Sequence, residues 1–558
     1  MKQINGAELF LETLLDEGVH HIFGNPGTTE LPLMDALVNE ERLQFILCLQ
    51  EAVAIAAAEG YALATGEVSV INLHVAPGLG NAMGLLYNAK RSGAPVLVTA
   101  GNQPQSGHFQ EIILYENLVS MAEPLTKWAY EVRRVEDLEQ AVRRAIKVAL
   151  TPPLGPVFLS LPGDVMLSPS NHLQGQPTRI DTHFAASESS IWKAAELLGN
   201  AKRPTFISGS GVTRSDGIEE LARLAERLGA KVFEENFANM ISFPLDHPLY
   251  AGKLPNFANQ FRSQIGDTDL LFLAGTEAFM FSYPPTVRPV PESVKLVHLD
   301  QNTWEIGKNF SLDVSLYGNP KLTLPLLLDT IESSRTEEEF KRYEARKKLV
   351  AKEILDDMHK SIPSPKKKFD GDSEGMSLTS FHSAIGEGIP EGAAIVDEAL
   401  TSSGPAMRRA VSKKAAYLFG RKGGGIGNGL PMALGVKTAM PNRPVICISG
   451  DGSAMYTNQA LWTAAKYGIG VVFIIANNGE YRILKERVLL LDGKAKEFNQ
   501  FVGMDFHDPD LDFLKLASSM GVPATRTKKP KELADHIKTA LQSEKPYLID
   551  AIIQTKPL

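Results

Sequence analysis

Cysteine is almost absent from this chain, with only Cys48 and Cys447 in 558 residues. Both fall in apolar, strand-like runs, which predicts buried thiols rather than a disulfide and points to a reducing, cytoplasmic setting. Long hydrophobic runs are missing too. Stretches such as GIGVVFIIA at 468–476 fall far short of a membrane span. No tract concentrates positive charge, and 57 basic against 65 acidic side chains leave a formal charge of -8. That argues against a nucleic-acid footprint and leaves small anionic substrates open, because local charge governs their binding. The opening MKQINGAELFLETLLDEG alternates apolar and acidic residues at helical spacing. It lacks the basic head, apolar core and small-residue cleavage site of a signal peptide.

What the chain does have is length and repeated alternation of strand-like and helix-like stretches. A chain of this length exceeds one ordinary domain. Over 1–165, LQFILCL leads into an alanine-rich helix, VSVINL leads into a glycine-rich turn and another helix, and APVLVTA and GPVFLSL follow. Buried parallel strands with helical crossovers are the expected arrangement. DVMLSPSNHLQGQPTRI, around 164–180, reads as an exposed linker. A second α/β unit spans 188–340, with RPTFISGSGV, a helix at GIEELARLAERLG, and the runs DLLFLAG and VKLVHLD. A charged helix over 335–360 and the proline-, glycine- and charge-rich SIPSPKKKFDGDSEG form the next boundary. The third unit, 376–558, repeats the pattern with AAIVDEA, RPVICISGDG, GVVFIIANN and PYLIDAIIQ. The expected fold is α/β, three consecutive open parallel-sheet domains.

The sharpest motif starts where the strand PVICIS runs into Gly450-Asp451-Gly452-Ser453. An acid between two glycines at a strand end brings a carboxylate and exposed N–H groups close to an anion. A helix expected to begin near Met455 would add its positive end. A second apolar strand ends in Asn477-Asn478-Gly479-Glu480-Tyr481. If the two strands are parallel neighbours, Asp451, the Asn478 amide oxygen and the Glu480 backbone carbonyl supply three hard ligands for Mg²⁺. Diphosphate oxygens and water would complete the shell. The cation is needed because a carboxylate and a diphosphate otherwise repel. Taken singly, each motif is as readily a tight turn after a buried strand.

The order G-D-G-S…N-N is characteristic of thiamine-diphosphate enzymes. With it, the chain resembles the thiamine-diphosphate-dependent 2-oxo acid decarboxylases and acetolactate-synthase-like enzymes, and among them the benzoylformate decarboxylases. The resemblance runs through FGNPGTTELPL at 23–33, LQEAVAIAAAEGYA at 49–62, INLHVAPGLGNAMG at 71–84, FPLDHPLYAGKLP at 243–255 and GGIGNGLPMALG at 424–435. It implies a pyrimidine-binding N-terminal domain, a middle domain without catalytic residues and a diphosphate-binding C-terminal domain. It also implies homodimers or homotetramers with sites between subunits, a small 2-oxo acid as substrate, and a reaction through ylide addition and an enamine.

Residue by residue, the resemblance makes Glu51 the carboxyl group that contacts the aminopyrimidine ring. Gly424 would accept from the ring amino group, and Ile426 would wedge the cofactor into its bent form. Leu400 and Thr401 match positions near the diphosphate, as do Gly450, Gly452 and Ser453, with Tyr481 beside them. Asn25, Pro26 and Gly27 match cofactor-proximal positions. Thr28 stands where the benzoylformate enzymes have a carboxylate-binding serine. His74, ending a strand before the glycine-rich turn, matches a proton-transfer or carboxylate-binding residue, and Asn81 a pocket amide.

Departures from that pattern bear on the substrate. Ser282, in GTEAFMFSYPP at 275–285, stands where the benzoylformate enzymes have a second histidine, and a serine is no general acid near neutral pH. Ile483 and Arg487 replace a small residue and an aromatic one. Phe109-Gln110-Glu111 is similar to a segment of acetolactate synthases, and Gln110 joins the pocket candidates. These changes favour a small aliphatic 2-oxo acid and carboligation. Gly209-Ser210-Gly211 admits a nucleotide in the middle domain, but a short G-x-G turn is a weak signal, and FAD is not expected. A hydrolase or acyltransferase using the same cofactor, and a binding protein without catalysis, are the remaining alternatives.

Overall fold

The structure, a computed structural model, describes residues 4–170, 175–361 and 375–554. The chain forms two compact units: Met1–Ile180 together with Asp372–Leu558, and Asp181–Gly371. The first unit holds two six-stranded sheets and the second holds one. All strand pairs within these three sheets are parallel. Runs such as Val157–Pro162 and Leu270–Ala274 are buried along their whole length. Such strands are covered on both faces, which is why they read as continuous apolar stretches instead of alternating ones.

Strand order separates the sheets into two kinds. In the N-terminal sheet it is Gln44–Leu47, His21–Gly24, Ser69–Leu73, Val96–Asn102, Val157–Pro162, Ala129–Glu131. The C-terminal sheet runs Ala415–Gly420, Ala393–Glu398, Val445–Gly450, Val471–Asn477, Tyr547–Ile552, Ala524–Thr527. Both therefore follow the order second, first, third, fourth, sixth, fifth. The middle sheet starts at the edge strand Tyr250–Lys253, followed by Lys231–Glu234 and Pro204–Ser208, and continues with Leu270–Ala274, Lys295–Asp300 and Val314–Tyr317. Its order is third, second, first, fourth, fifth, sixth. In each case the chain reverses direction across the sheet beside the first strand, and ligand sites of open α/β sheets form outside the carboxyl ends at such a point.

Within the first unit, the helix Glu51–Thr65 packs on the helix Gly429–Ala439 almost backbone to backbone. A Cβ on Gly60 would stand 2.2 Å from the Met432 carbonyl oxygen, and one on Gly435 1.8 Å from that of Ala57. Glycine at both positions is what permits the approach. The edge strand Gln44–Leu47 is tied to the helix Ala460–Tyr467, since the Tyr467 hydroxyl accepts from Leu47 N–H (2.9 Å) and donates to the Phe45 carbonyl (3.1 Å).

Three local expectations are corrected. The stretch after 162 is not simply a linker: Gly163–Leu167 is helical and Pro169–Ser170 pairs antiparallel with Ile4–Asn5. The apolar pair Val165 and Met166 anchors it in the N-terminal core. No glycine-rich turn follows His74, because a helix runs from Val75 to Ser92 and contains Gly78, Leu79, Gly80 and Asn81. The helix expected near Met455 begins at Asp451 as the short Asp451–Ala454, and a separate helix, Ala460–Tyr467, follows. The boundary read in SIPSPKKKFDGDSEG lies almost wholly outside the described residues. Both cysteines are buried and free, and no helix among the described residues is long and apolar enough to cross a membrane.

Candidate functional site

The candidate residues gather at the direction-reversing points of the two sheets that share a strand order. In the N-terminal sheet the first strand, His21–Gly24, delivers Asn25, Pro26 and Gly27, and a 3-10 turn, Thr28–Glu30, follows with Thr28 exposed. The third strand, Ser69–Leu73, delivers His74. Glu51 opens its helix and is 6% exposed, at an end where the helix dipole favours a carboxylate. Asn25 Nδ2 donates to its Oε1 (3.2 Å) and Asn81 Nδ2 to its Oε2 (2.9 Å). Asn81 therefore reaches Glu51 from a helix face rather than from a loop.

In the C-terminal sheet the first strand, Ala393–Glu398, leads to the 3-10 turn Leu400–Ser402, which carries a half-buried Thr401. Leu400 has φ +48°, an uncommon conformation for a side chain that is not glycine. The third strand delivers Asp451 and the fourth Asn478. Asp451 Oδ2 accepts N–H bonds from Asn478 (3.1 Å) and Gly479 (2.7 Å), and Oδ1 accepts from Gly452 (2.8 Å). Burial pushes the Asp451 carboxyl up to about 6, against the opposing pull of those three N–H groups.

Around this centre, Ser453 is buried and Gly450 faces open space, with nothing within 4 Å of a Cβ built on it. The Tyr481 ring lies against Gly452 and meets Phe506 edge-on at 4.5 Å. Asn478 Oδ1 accepts from Glu480 N–H at 3.2 Å. The Glu480 carboxylate is engaged by Lys485 and by Arg482. Gly424 is exposed and Ile426 half-buried. Between them, Gly425 is clasped by Asn88, whose Oδ1 accepts its N–H (3.0 Å) and whose Nδ2 donates to its carbonyl (2.9 Å). Among the described residues no group of three His, Cys, Asp or Glu side chains could hold a metal. The donor set read at Asp451, with one carboxylate, one amide and one main-chain carbonyl, is of a different kind.

The weaker pocket candidates are scattered. Ile483 and Arg487 lie half-buried on the helix Arg482–Leu489. Gln110 is exposed at the end of the 3-10 segment Gln105–Gln110, next to a 94% exposed Phe109. Ser282 belongs to the second unit, where its Oγ accepts from Asn256 Nδ2 (2.7 Å) and its N–H donates to the Asn256 carbonyl (2.9 Å). In that unit the Gly209-Ser210-Gly211 turn is pressed onto Gly275. A Cβ on Gly209 would lie 2.2 Å from the Gly275 oxygen, and one on Gly211 2.7 Å from its Cα.

Two residues with a place in this architecture escape the sequence reading. Asn88 is a fully buried amide among Leu85, Leu86 and Ala89, and an amide on the apolar face of a helix is a readable signal of a specific partner. Glu30 is 2% exposed, yet in sequence it is one acid in a polar loop and gives no signal.

Three family profiles cover most of the chain. They are described as thiamine pyrophosphate enzyme N-terminal TPP binding domain (residues 4–113), central domain (191–327) and C-terminal TPP binding domain (402–551). A benzoylformate decarboxylase of Pseudomonas aeruginosa is 30% identical over 100% of this chain and 99% of its own. The acetolactate synthase large subunit of Lactococcus lactis is 26% identical over 99% of this chain and 93% of its own. The solved structure of a Rhodococcus jostii thiamine diphosphate-dependent 4-hydroxybenzoylformate decarboxylase superposes with a TM-score of 0.84 at 28% identity, covering 99% of this chain and 100% of that one. With three α/β sheets, sequence relatives along its whole length and the Asp451–Asn478 strand ends, the chain belongs to the thiamine pyrophosphate enzymes.

Proposed function

We propose that the protein is a thiamine-diphosphate- and Mg²⁺-dependent decarboxylase or carboligase of a 2-oxo acid. The observation that carries this reading is the Asp451 carboxylate, buried and bonded to three N–H groups, none of them charged. This carboxylate stands just past one strand end and accepts from the N–H of Asn478 just past the next, so that the two residues could share a cation with a diphosphate.

Asp451, the Asn478 amide oxygen and the Glu480 main-chain carbonyl would hold Mg²⁺. The Glu480 side chain is already committed to Lys485 and Arg482. Gly450, Gly452, Ser453 and Thr401 would receive the diphosphate, with Tyr481, Gly424, Ile426, Asn25, Pro26 and Gly27 around the rest of the cofactor. Thiamine diphosphate, when bound, supplies a carbon nucleophile and an electron sink for the bonding pair left behind when CO₂ departs. Glu51, fixed by Asn25 and Asn81, would hold a proton against the aminopyrimidine ring. The Thr28 hydroxyl would donate to the substrate carboxylate, and His74 would move a proton at the reacting carbon. The N-terminal domain (1–165) would thus serve the pyrimidine and the C-terminal domain (376–558) the diphosphate, with the middle domain (188–340) between them in the chain. Association into dimers or tetramers accompanies this reading.

A small aliphatic 2-oxo acid fits the half-buried Ile483 and Arg487 better than an aromatic one, with Gln110 a secondary pocket candidate. The middle domain is proposed to carry no FAD, because the glycines of its G-x-G turn are accounted for by contact with Gly275. A colourless pure protein supports that, and a yellow one refutes it. The substrate is tested by following CO₂ release and identifying products across aliphatic and aromatic 2-oxo acids. Aldehyde would mark decarboxylation, and a hydroxyketone or hydroxy-oxo acid would mark carboligation. No turnover on any 2-oxo acid, with cofactor binding demonstrated, contradicts the reading.

A further inference from the structure

We propose that Glu30 is a positioning residue that holds His74 as the tautomer protonated on Nδ1, so that Nε2 is the nitrogen left to exchange a proton with substrate. The inference rests on the reading of His74 as a substrate-facing group.

Glu30 is a buried carboxylate surrounded by four donors. Its Oε2 accepts from Gly27 N–H at 2.9 Å and lies 2.8 Å from His74 Nδ1. Its Oε1 accepts from Gly101 N–H at 2.9 Å and from the Thr29 hydroxyl at 2.7 Å. Thr29 Oγ1 also lies 3.2 Å from Nδ1, but its proton goes to Glu30 Oε1, so both oxygens facing Nδ1 are acceptors and Nδ1 is the protonated nitrogen. In a neutral imidazole that leaves the lone pair on Nε2, and no described residue bonds it. The imidazole is 22% exposed and the Glu30 side chain 1%. The carboxylate is thus sealed in while the ring retains a path outward. A carboxylate that orients a histidine in this way selects its tautomer and ring angle.

The backbone is shaped around this pair from two sides. A Cβ on Gly27 would stand 2.2 Å from His74 Nδ1, and one on Gly101 2.1 Å from Glu30 Oε1. Gly27 has φ -129° and ψ -158°, extended values open to any residue, so the imidazole is what bars a side chain there. Val75, directly after His74, is fully buried with φ +38°, an outlier for a β-branched residue on the backbone that carries the ring.

The test is steady-state turnover of the best 2-oxo acid by the full chain with thiamine diphosphate and Mg²⁺, in wild type, Glu30→Gln, His74→Ala and the double variant. Glu30→Gln is expected to lower kcat about 10- to 100-fold, with KM and the half-saturating cofactor concentration moved less than about threefold. The double variant should be no slower than His74→Ala within about twofold, because Glu30 would have nothing left to position. Should Glu30→Gln fail to fold, Gly27→Ala carries the test by displacing the ring while keeping the N–H that Glu30 accepts, and a half-saturating cofactor concentration moved less than about threefold separates this from a loss of cofactor binding. The same loss is expected, and it should disappear in the His74→Ala background, where the three atoms nearest that methyl group, all of the imidazole, are gone. The inference is overturned if the Glu30→Gln loss multiplies onto that of His74→Ala, or if Gly27→Ala turns over like wild type. It also fails if His74→Ala is fully active, although thiamine-diphosphate-dependent turnover would then leave the reaction class intact.

Discussion

The N- and C-terminal sheets and the middle sheet have equal strand numbers and all-parallel pairing, yet their carboxyl ends are built differently. The outer two share one strand order and carry polar side chains where the chain changes direction: Asn25 and His74 in one, Thr401 and Asp451 in the other. The middle sheet has the other order, and its corresponding point is closed by Gly209, Gly211 and Gly275 packed backbone on backbone. One architecture thus presents polar side chains or packed glycines according to what stands at its strand ends.

The largest expected effect lies at the N-terminal site. Glu51→Gln should lower kcat by about 10²- to 10⁴-fold, the usual range for a positioned proton-transfer group, while the protein still binds cofactor by calorimetry. Next comes the C-terminal site. Asp451→Ala should cost about 2–5 kcal/mol of cofactor binding, a loss of at least about 30-fold in thiamine diphosphate affinity, and titrating Mg²⁺ should no longer rescue activity. If both variants behave like wild type, the distinction between outer and middle sheets has no chemical content.

The seam between the outer sheets supplies a pH prediction. Glu59, on the Glu51 helix, is completely buried, with only the neutral Ser92 and Asn428 side chains favouring its charged form. Burial pushes it up to about 7, outweighing Ser92 and Asn428, and the charge of Glu398 adds to the rise. The folded state then binds this proton more tightly than the unfolded chain. Stability should fall as pH rises from about 4.5 to about 7 and level off above, by roughly 3 kcal/mol at most from this group. Thermal melts across that window should show the slope, and Glu59→Gln should flatten it. A Glu59→Gln variant with the full wild-type slope would assign the pH dependence elsewhere.

The smallest effect belongs to the middle sheet. Gly209→Ala must displace the Gly275 loop and should lower stability by about 1–3 kcal/mol, in the range of overpacked cores. kcat per folded molecule should stay within about twofold of wild type. A large kcat loss at unchanged melting temperature would show that the middle turn takes part in catalysis after all.

The fold class is legible in the sequence because buried parallel strands announce themselves as continuous apolar runs, as at VICIS and VVFIIA. The closeness of Asp451 and Asn478 is legible for the same reason, since each ends such a run. Strand order is not, because it depends on pairing between distant segments. Glycines misled locally: Gly78 and Gly80 suggest a turn after His74, whereas the chain is helical from Val75. Packing and the hydrogen-bond ladder overrode propensity there. Glu30 was beyond reach, since its partners Gly101 and His74 lie 71 and 44 residues away.

The decisive measurement is CO₂ release from a 2-oxo acid by the purified protein, first with thiamine diphosphate and Mg²⁺ together, then with each withheld. Turnover is expected with both, its loss when either is removed, and no recovery by Glu51→Gln under any of these conditions. Equal turnover without the cofactor, or full activity in Glu51→Gln, would contradict it.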